Sequence, residues 1–209
     1  MKKLVKLCLS IIILITLSCS NDDDNQNLIV DTSTADIINA ISGDLVGKSI
    51  LNRFENNISV NYTTSGLIPN HAYTLWWVIW NKKENCAGYP APCADTDFAI
   101  EDQVEVELLY ATGLVADSNG QIRFSAQLNE NNSSESINDL FGLPTFGGLQ
   151  SAKSAEVHVV LRSHGPVISG QENEQIQSYE GGCTTFFAPF TEIPDDIGEC
   201  GDFQFAIHQ

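Results

Sequence analysis

The stretch Ala155-Glu-Val-His-Val-Val-Leu-Arg-Ser-His164 gathers more reactive side chains than any other part of the chain. Side chains of a strand alternate between its two faces. Val157, Val159 and Leu161 then point one way, and Glu156, His158, Arg162 and His164 the other. The C-terminal run Asp202 to His208 has the same period. Phe203, Phe205 and Ile207 are expected inward, with Gln204, Ala206 and His208 opposite. If the two strands are neighbours, Glu156, His158, Arg162, His164, Gln204 and His208 share one ligand-binding face. Imidazole with carboxylate suits zinc or copper, so His158 and His208 are the candidate metal ligands. A divalent metal is the one cofactor to consider, and none is otherwise expected. His158 near Arg162 also offers a general acid beside an anion clamp. The wet face of an ordinary antiparallel strand alternates in the same way, with Arg162 simply pairing with Glu156 or another carboxylate. The sequence holds no P-loop, His-Glu-x-x-His, Gly-x-Gly-x-x-Gly or Ser-His-Asp order, and no catalytic residue is assigned.

Ser65 to Asn81 holds all three tryptophans. Tyr73 to Trp80 lacks Gly, Pro and charge and is rich in aromatic and β-branched residues, which fits a strand. Trp76, Val78 and Trp80 share one face; Tyr73, Leu75, Trp77 and Ile79 share the other. Either both faces are covered, or Trp76 and Trp80, about 13 Å apart by strand rise, form a row for stacking on sugar rings. The entry Leu67-x-Pro69-x-x-x-Tyr73 resembles the tyrosine corner of fibronectin- and immunoglobulin-like domains. The resemblance implies a Greek-key β-sandwich in which the Tyr73 hydroxyl bonds to upstream backbone.

The elements that must carry these residues read as extended. Ser49 to Phe54 and Asn57 to Thr64 flank a turn, and Ile58, Val60 and Tyr62 alternate with Ser59, Asn61 and Thr63. Val104 to Tyr110 is expected to turn Val104, Val106, Leu108 and Tyr110 inward and Glu105 and Glu107 outward. Ile122 to Leu128 alternates behind the turn Asp117-Ser-Asn-Gly120. Leu28 to Leu45 reads as helix or strand. Asn129 to Gln150 is a long loop with a short helix at Ser136 to Phe141. Asp95, Asp97, Glu101 and Asp102 offer oxygens for calcium, but they lack the EF-hand spacing and read as a solvated loop. Seven to eight strands broken by turns argue for an all-β sandwich or barrel; the expected fold is the antiparallel Greek-key sandwich, with long loops stapled by disulfides.

Lys2, Lys3 and Lys6 precede an apolar run, Leu7 to Leu17, and small Ser18 precedes Cys19. This is a secretory signal, and it resembles the lipobox of bacterial lipoprotein precursors, with Thr16 where that pattern usually has Leu. The resemblance implies removal of residues 1–18, acylation of Cys19 with palmitate-type chains, and anchoring in the outer membrane. The acidic run after Cys19 resembles the surface-export signal of some Gram-negative lipoproteins, and it reads equally as a spacer. Residues 19–33 are expected to be a tether and residues 34–209 a single domain. Three of the ten Lys and Arg fall in the signal, so the mature charge is 7 minus 27, or −20. Nucleic acid is disfavoured as a partner, while divalent cations, cationic ligands and neutral sugars remain. Beyond Cys8 in the signal and Cys19, four cysteines remain, as expected of disulfides in an exported chain. Nearest-neighbour pairing, Cys86–Cys93 and Cys183–Cys200, brackets two irregular segments. A zinc site of four thiolates lacks the short ligand spacing.

Gly66-Leu67-x-Pro69, Leu75-Trp-Trp-Val-Ile79-x-Asn81, Cys86, Cys93, Ala155-Glu-Val-His158, Arg162-x-His-Gly-Pro166 and Cys200-x-Asp202-x-Gln204-x-Ala206-x-His208 together resemble a group of uncharacterised secreted bacterial proteins. The resemblance implies one intact domain and a polar set, Glu156, His158, Arg162, Asp202, Gln204 and His208, that belongs together. No activity comes with it. The chain is expected to be a lipid-anchored cell-envelope protein with a binding or structural role. Two other readings stay open. One is a small metal-dependent or acid–base enzyme using His158, Arg162 and His208. The other is a glycan-binding module through Trp76 and Trp80.

Overall fold

Alternation at period two governs the strands of the described residues. The computed structural model describes residues 28–184 and 197–209; the signal and Cys19 lie outside them. Eight strands follow in order: β1 (Asp31–Asn39), β2 (Leu45–Arg53), β3 (Asn57–Thr64), β4 (His71–Trp80), β5 (Val106–Val115), β6 (Ile122–Asn129), β7 (Glu156–Pro166) and β8 (Gly201–His208). Among the described residues two short α-helices, α1 (Glu101–Val104) and α2 (Glu172–Gln177), and three 3-10 turns, Lys83–Asn85, Asp95–Ile100 and Asn138–Phe141, sit in the connections. β1 resolves the Leu28 to Leu45 ambiguity as a strand, and it starts at Asp31, inside the expected tether. Among the described residues no helix is long and apolar enough to cross a membrane.

The fold is all-β and antiparallel. The strand order is β5-β4-β7-β8-β1-β2-β3-β6 in one sheet, whose two end strands, β5 and β6, pack against each other. β1 and β8 pair only at Ile38↔Phe205 and Asn39↔Gln204. The two layers expected of a sandwich are joined at this seam into one sheet that nearly closes on itself. One core fills it. Tyr73, Leu75, Trp77 and Ile79 of β4 meet Leu51, Ile58, Val60, Tyr62 and Phe124 from across the sheet. Each side chain of this size stabilises by roughly 1.5–3 kcal/mol on full burial. The corner bond forms: the Ile68 amide donates to the Tyr73 hydroxyl at 3.0 Å. Tyr73→Phe removes that acceptor and is expected to lower stability by about 1–2 kcal/mol. A urea midpoint that drops with an unchanged slope would record it, and an unmoved midpoint would show the bond to be idle.

Two strand faces depart from expectation. On β8, Leu161 pairs with Gln204 but Arg162 with Asp202, so Phe203 is an extra, bulged residue. A one-residue insertion reverses every later side chain. Phe203 remains buried, but Gln204, Ala206 and His208 then turn into the core, and Phe205 and Ile207 become half-buried outside it. On β5, Trp77 and Ile79 oppose Leu109 and Glu107, so these two face the core side. Val106 and Leu108 belong instead to a second apolar cluster with Val78, Trp80 and Val104. Glu107 is fully buried and accepts from the Ser136 hydroxyl (3.0 Å) and the Gly148 amide (3.2 Å), so it holds a loop and does not point to water.

Candidate binding cleft

β7 carries Glu156, His158, Arg162 and His164 at alternate positions, but they enter separate environments. Glu156 Oε1 accepts from the Cys93 amide (2.7 Å) and bonds His158 Nε2 (2.7 Å). Burial alone would raise the Glu156 pKa, but the bonds from His158 and Cys93 prevail and hold it low. Arg162 is fully buried. Its Nε donates to the Tyr179 carbonyl (3.0 Å), and its Nη1 to the Tyr179 hydroxyl (3.0 Å) and Asp202 Oδ1 (3.1 Å). Its Cζ lies 3.8 Å from the Tyr179 ring centroid. This guanidinium is engaged within the protein and is no open anion clamp.

His164 is fixed in one tautomer. Nδ1 lies 2.9 Å from the Gly181 carbonyl, which can only accept, so Nδ1 carries the proton. Nε2 then accepts from the Thr74 hydroxyl at 2.8 Å, and Thr74 in turn accepts the Trp76 indole N–H at 2.7 Å. Burial first, with Arg162 nearby, brings the His164 pKa to about 4 against the pull of Gly181. His208 sits on the opposite face of the sheet, between the hydroxyls of Ser33 and Ser49, 2.8 Å from each. Burial, then the charges of Arg53 and His158, bring its pKa to about 4. Gln204 accepts from the Thr64 hydroxyl at 2.7 Å, also inside. The expected convergence of His158, Arg162 and His208 therefore does not occur, because the β8 bulge turns His208 and Gln204 inward.

Two groupings of metal-ligating atom types lie close together among the described residues: His164 with Cys183 and Cys200, and Cys86 and Cys93 with Asp97. Both rest on joined cysteines. The bridges are Cys86–Cys93 and Cys183–Cys200, the nearest-neighbour pairing, and they leave no thiolate to ligate a metal. Neither grouping contains His158 or His208.

What the outer face does build is a cleft of about 450 Å³, a volume that suits a small ligand. Its floor is Trp76 and Val78 of β4, Leu108 of β5, Val160 of β7 and Asp202 of β8. Its walls come from three connections: Asp95 and Phe98 from the helical turn Asp95–Ile100, Ile137, Phe141 and Leu143 from the β6–β7 loop, and Tyr179 from beyond α2. A second pocket of about 340 Å³ shares Trp76, Ile137 and Tyr179 with the first and adds Glu135, Glu174 and Glu180. Tyr179 meets Trp76 and Phe141 edge-on, each at 5.2 Å. Trp80, by contrast, is 1% exposed beneath Phe98 and His158. Trp76 and Trp80 thus form no open row.

A buried polar side chain clamps each wall. Asp97 accepts from the Ala87 and Ala94 amides, both at 2.8 Å, and ties the first disulfide loop together. The solvated acidic loop expected there is in part a structural knot. Asn138 accepts from the Leu108 amide (2.8 Å) and donates to the Val106 carbonyl (3.0 Å), which ties the second wall to β5. Gln175 accepts from the Ile168 amide (2.8 Å) and donates to the Pro166 carbonyl (3.0 Å). α2 also lies directly on Gly113, where a Cβ would stand 1.9 Å from the Ile176 carbonyl oxygen. Burial raises the Asp202 pKa, Arg162 holds it back, and the charge of Asp95 adds a smaller upward push; both carboxylates line the cleft.

The polar set from the sequence therefore contributes only Asp202 to the cleft directly, with Arg162 and His164 beneath it. Sequence reading missed Phe98, Phe141 and Tyr179 as site residues: the first two lie in single helical turns, Asp95–Ile100 and Asn138–Phe141, and Tyr179 follows α2, all too short to show a period. Asp95 and Asp202 had a legible signal: each stands two residues beyond a half-cystine, in Cys93-Ala-Asp95 and Cys200-Gly-Asp202. No known protein family matches the chain, and no curated protein matches it.

Proposed function

We propose that the domain is a binding protein of the cell envelope, tethered by lipid on Cys19, that holds a small, mainly apolar molecule in the cleft above β4, β5 and β7. The cleft itself carries the reading. Loops free to settle onto an apolar floor would do so, since burial stabilises by about 25 cal/mol per Å². Here Asp97, Asn138 and Gln175 clamp three walls apart, and two disulfides staple them. The space between is lined mostly by aliphatic and aromatic carbon. The lipoprotein-like signal supports the envelope location and the resemblance to secreted proteins supports an exported domain. The glycan reading needed both Trp76 and Trp80 open, and Trp80 is covered. The acid–base reading needed His158 and His208 on one face.

An uncharged, environment-sensitive naphthalene dye should bind the mature domain saturably, at one per chain. Val160→Trp fills the cleft from its floor and should weaken the dye at least about tenfold, a loss of some 1.4 kcal/mol. Equal dye binding in that variant would place the dye elsewhere and sink the reading.

A further inference from the structure

We propose that the guest of this cleft is a cation: an organic amine or quaternary ammonium on an apolar body, with its nitrogen beside Asp95 of the wall and Asp202 of the floor. This rests on the cleft reading above and adds the charge of the ligand. Among the described residues, neither pocket is lined by Lys, Arg or His. The stretch between Cys183 and Cys200 contains no Lys or Arg either. Arg162, a cation beneath the floor, is enclosed by Tyr179 and Asp202. An anionic guest such as a fatty acid would therefore set its carboxylate against Asp95 with no open counter-charge to meet it, since Arg162 is already paired with Asp202.

Asp95 is exposed, and its carboxylate accepts no hydrogen bond from the described residues. It lines the same cleft as Asp202, and its charge pushes the Asp202 pKa up. A neutral guest leaves that repulsion in place, and a cation relieves it. Trp76, Phe98 and Phe141 line the same space, and aromatic walls favour ammonium groups through their ring quadrupoles. The fold already makes one such contact, Arg162 over Tyr179. Past Tyr179, Glu135, Glu174 and Glu180 extend the negative field along the second pocket. With a mature charge of −20, that field also steers cations toward the mouth.

Displacement of the naphthalene dye by three molecules of one body decides it: phenylbutylamine, phenylbutanol and phenylbutyrate. The amine should displace the dye at a concentration at least about tenfold below that of the alcohol, with the acid weakest. Asp95→Asn should bring the amine-to-alcohol ratio close to one, and added salt should shrink it in the wild type. An alcohol or acid as potent as the amine would overturn the cation assignment while the cleft reading stands. An amine preference untouched by Asp95→Asn would overturn the placement of its nitrogen. A dye that never binds would remove the cleft reading itself.

Discussion

Between pH 6.5 and pH 4 the folded domain should lose about 3 kcal/mol of stability for each of two buried histidines, His164 and His208. In the unfolded chain each imidazole takes its proton near 6.5, whereas in the fold each resists until about 4. Above the upper value both states are neutral and the contribution is full. As pH falls through the window only the unfolded state binds the proton, and stability drops by about 1.4 kcal/mol per pH unit per group. Glu156 acts in the same sense at lower pH, since a lowered carboxyl loses its contribution as pH falls through its folded value. Asp202 acts against it, because its raised pKa favours the protonated form in the fold. Urea midpoints across the window should slope steeply in the wild type and about half as steeply in His208→Gln. A wild-type curve that stays flat would remove the claim that either imidazole is held neutral.

The two histidines differ in what acid does to the cleft. Protonated His164 would donate from Nε2, so the Thr74 oxygen would have to receive that proton and the Trp76 indole together. The Thr74 hydroxyl proton would then lose its acceptor. Dye binding should therefore weaken with acid in step with His164, and His208→Gln should leave that weakening in place.

The central strand was legible because both its rows are apolar, so Trp77 and Ile79 had no wet face to occupy. β3 and β6 were legible because one face is polar and the other is not. β8 was misread beyond its third residue, because a bulge leaves no mark on hydrophobic periodicity: Phe203, Phe205 and Ile207 alternate just as a regular strand would. β5 was misread because a glutamate was assigned to water, although Glu107 is fully buried and satisfied by Ser136 and Gly148. The disulfides followed from an even count and proximity. The cleft was invisible because its walls depend on single buried polar residues, Asp97, Asn138 and Gln175, whose partners are main-chain groups. A main-chain partner has no residue type to read. Half-cystines two residues before Asp95 and Asp202 were the one pattern that pointed there.

Arg162→Met should lower stability by about 3–5 kcal/mol, the largest effect expected of any single replacement near the cleft. At roughly 2–4 °C per kcal/mol for a domain of this size, the melting temperature should fall by about 10 °C. Methionine keeps most of the apolar stem, so lost packing is not the main cause. The cause is what remains: Asp202, with only 14% of its side chain exposed, loses its counter-charge, and the Tyr179 carbonyl and hydroxyl lose a donor. Breaking a buried pair from one side leaves an uncompensated charge, whereas replacing both partners removes the charge as well. Arg162→Met with Asp202→Leu should therefore recover more than half of the loss, and the double-mutant cycle should show strong coupling. Arg162→Lys should fall between, because one ammonium cannot stack on Tyr179 while bonding its carbonyl and Asp202 together. Tyr179 also forms a wall of the cleft, so Arg162→Met should weaken dye binding even where the domain remains folded. If Arg162→Met melts within about 1 kcal/mol of the wild type, the guanidinium is not the post on which Tyr179 and Asp202 stand, and the cleft has some other support.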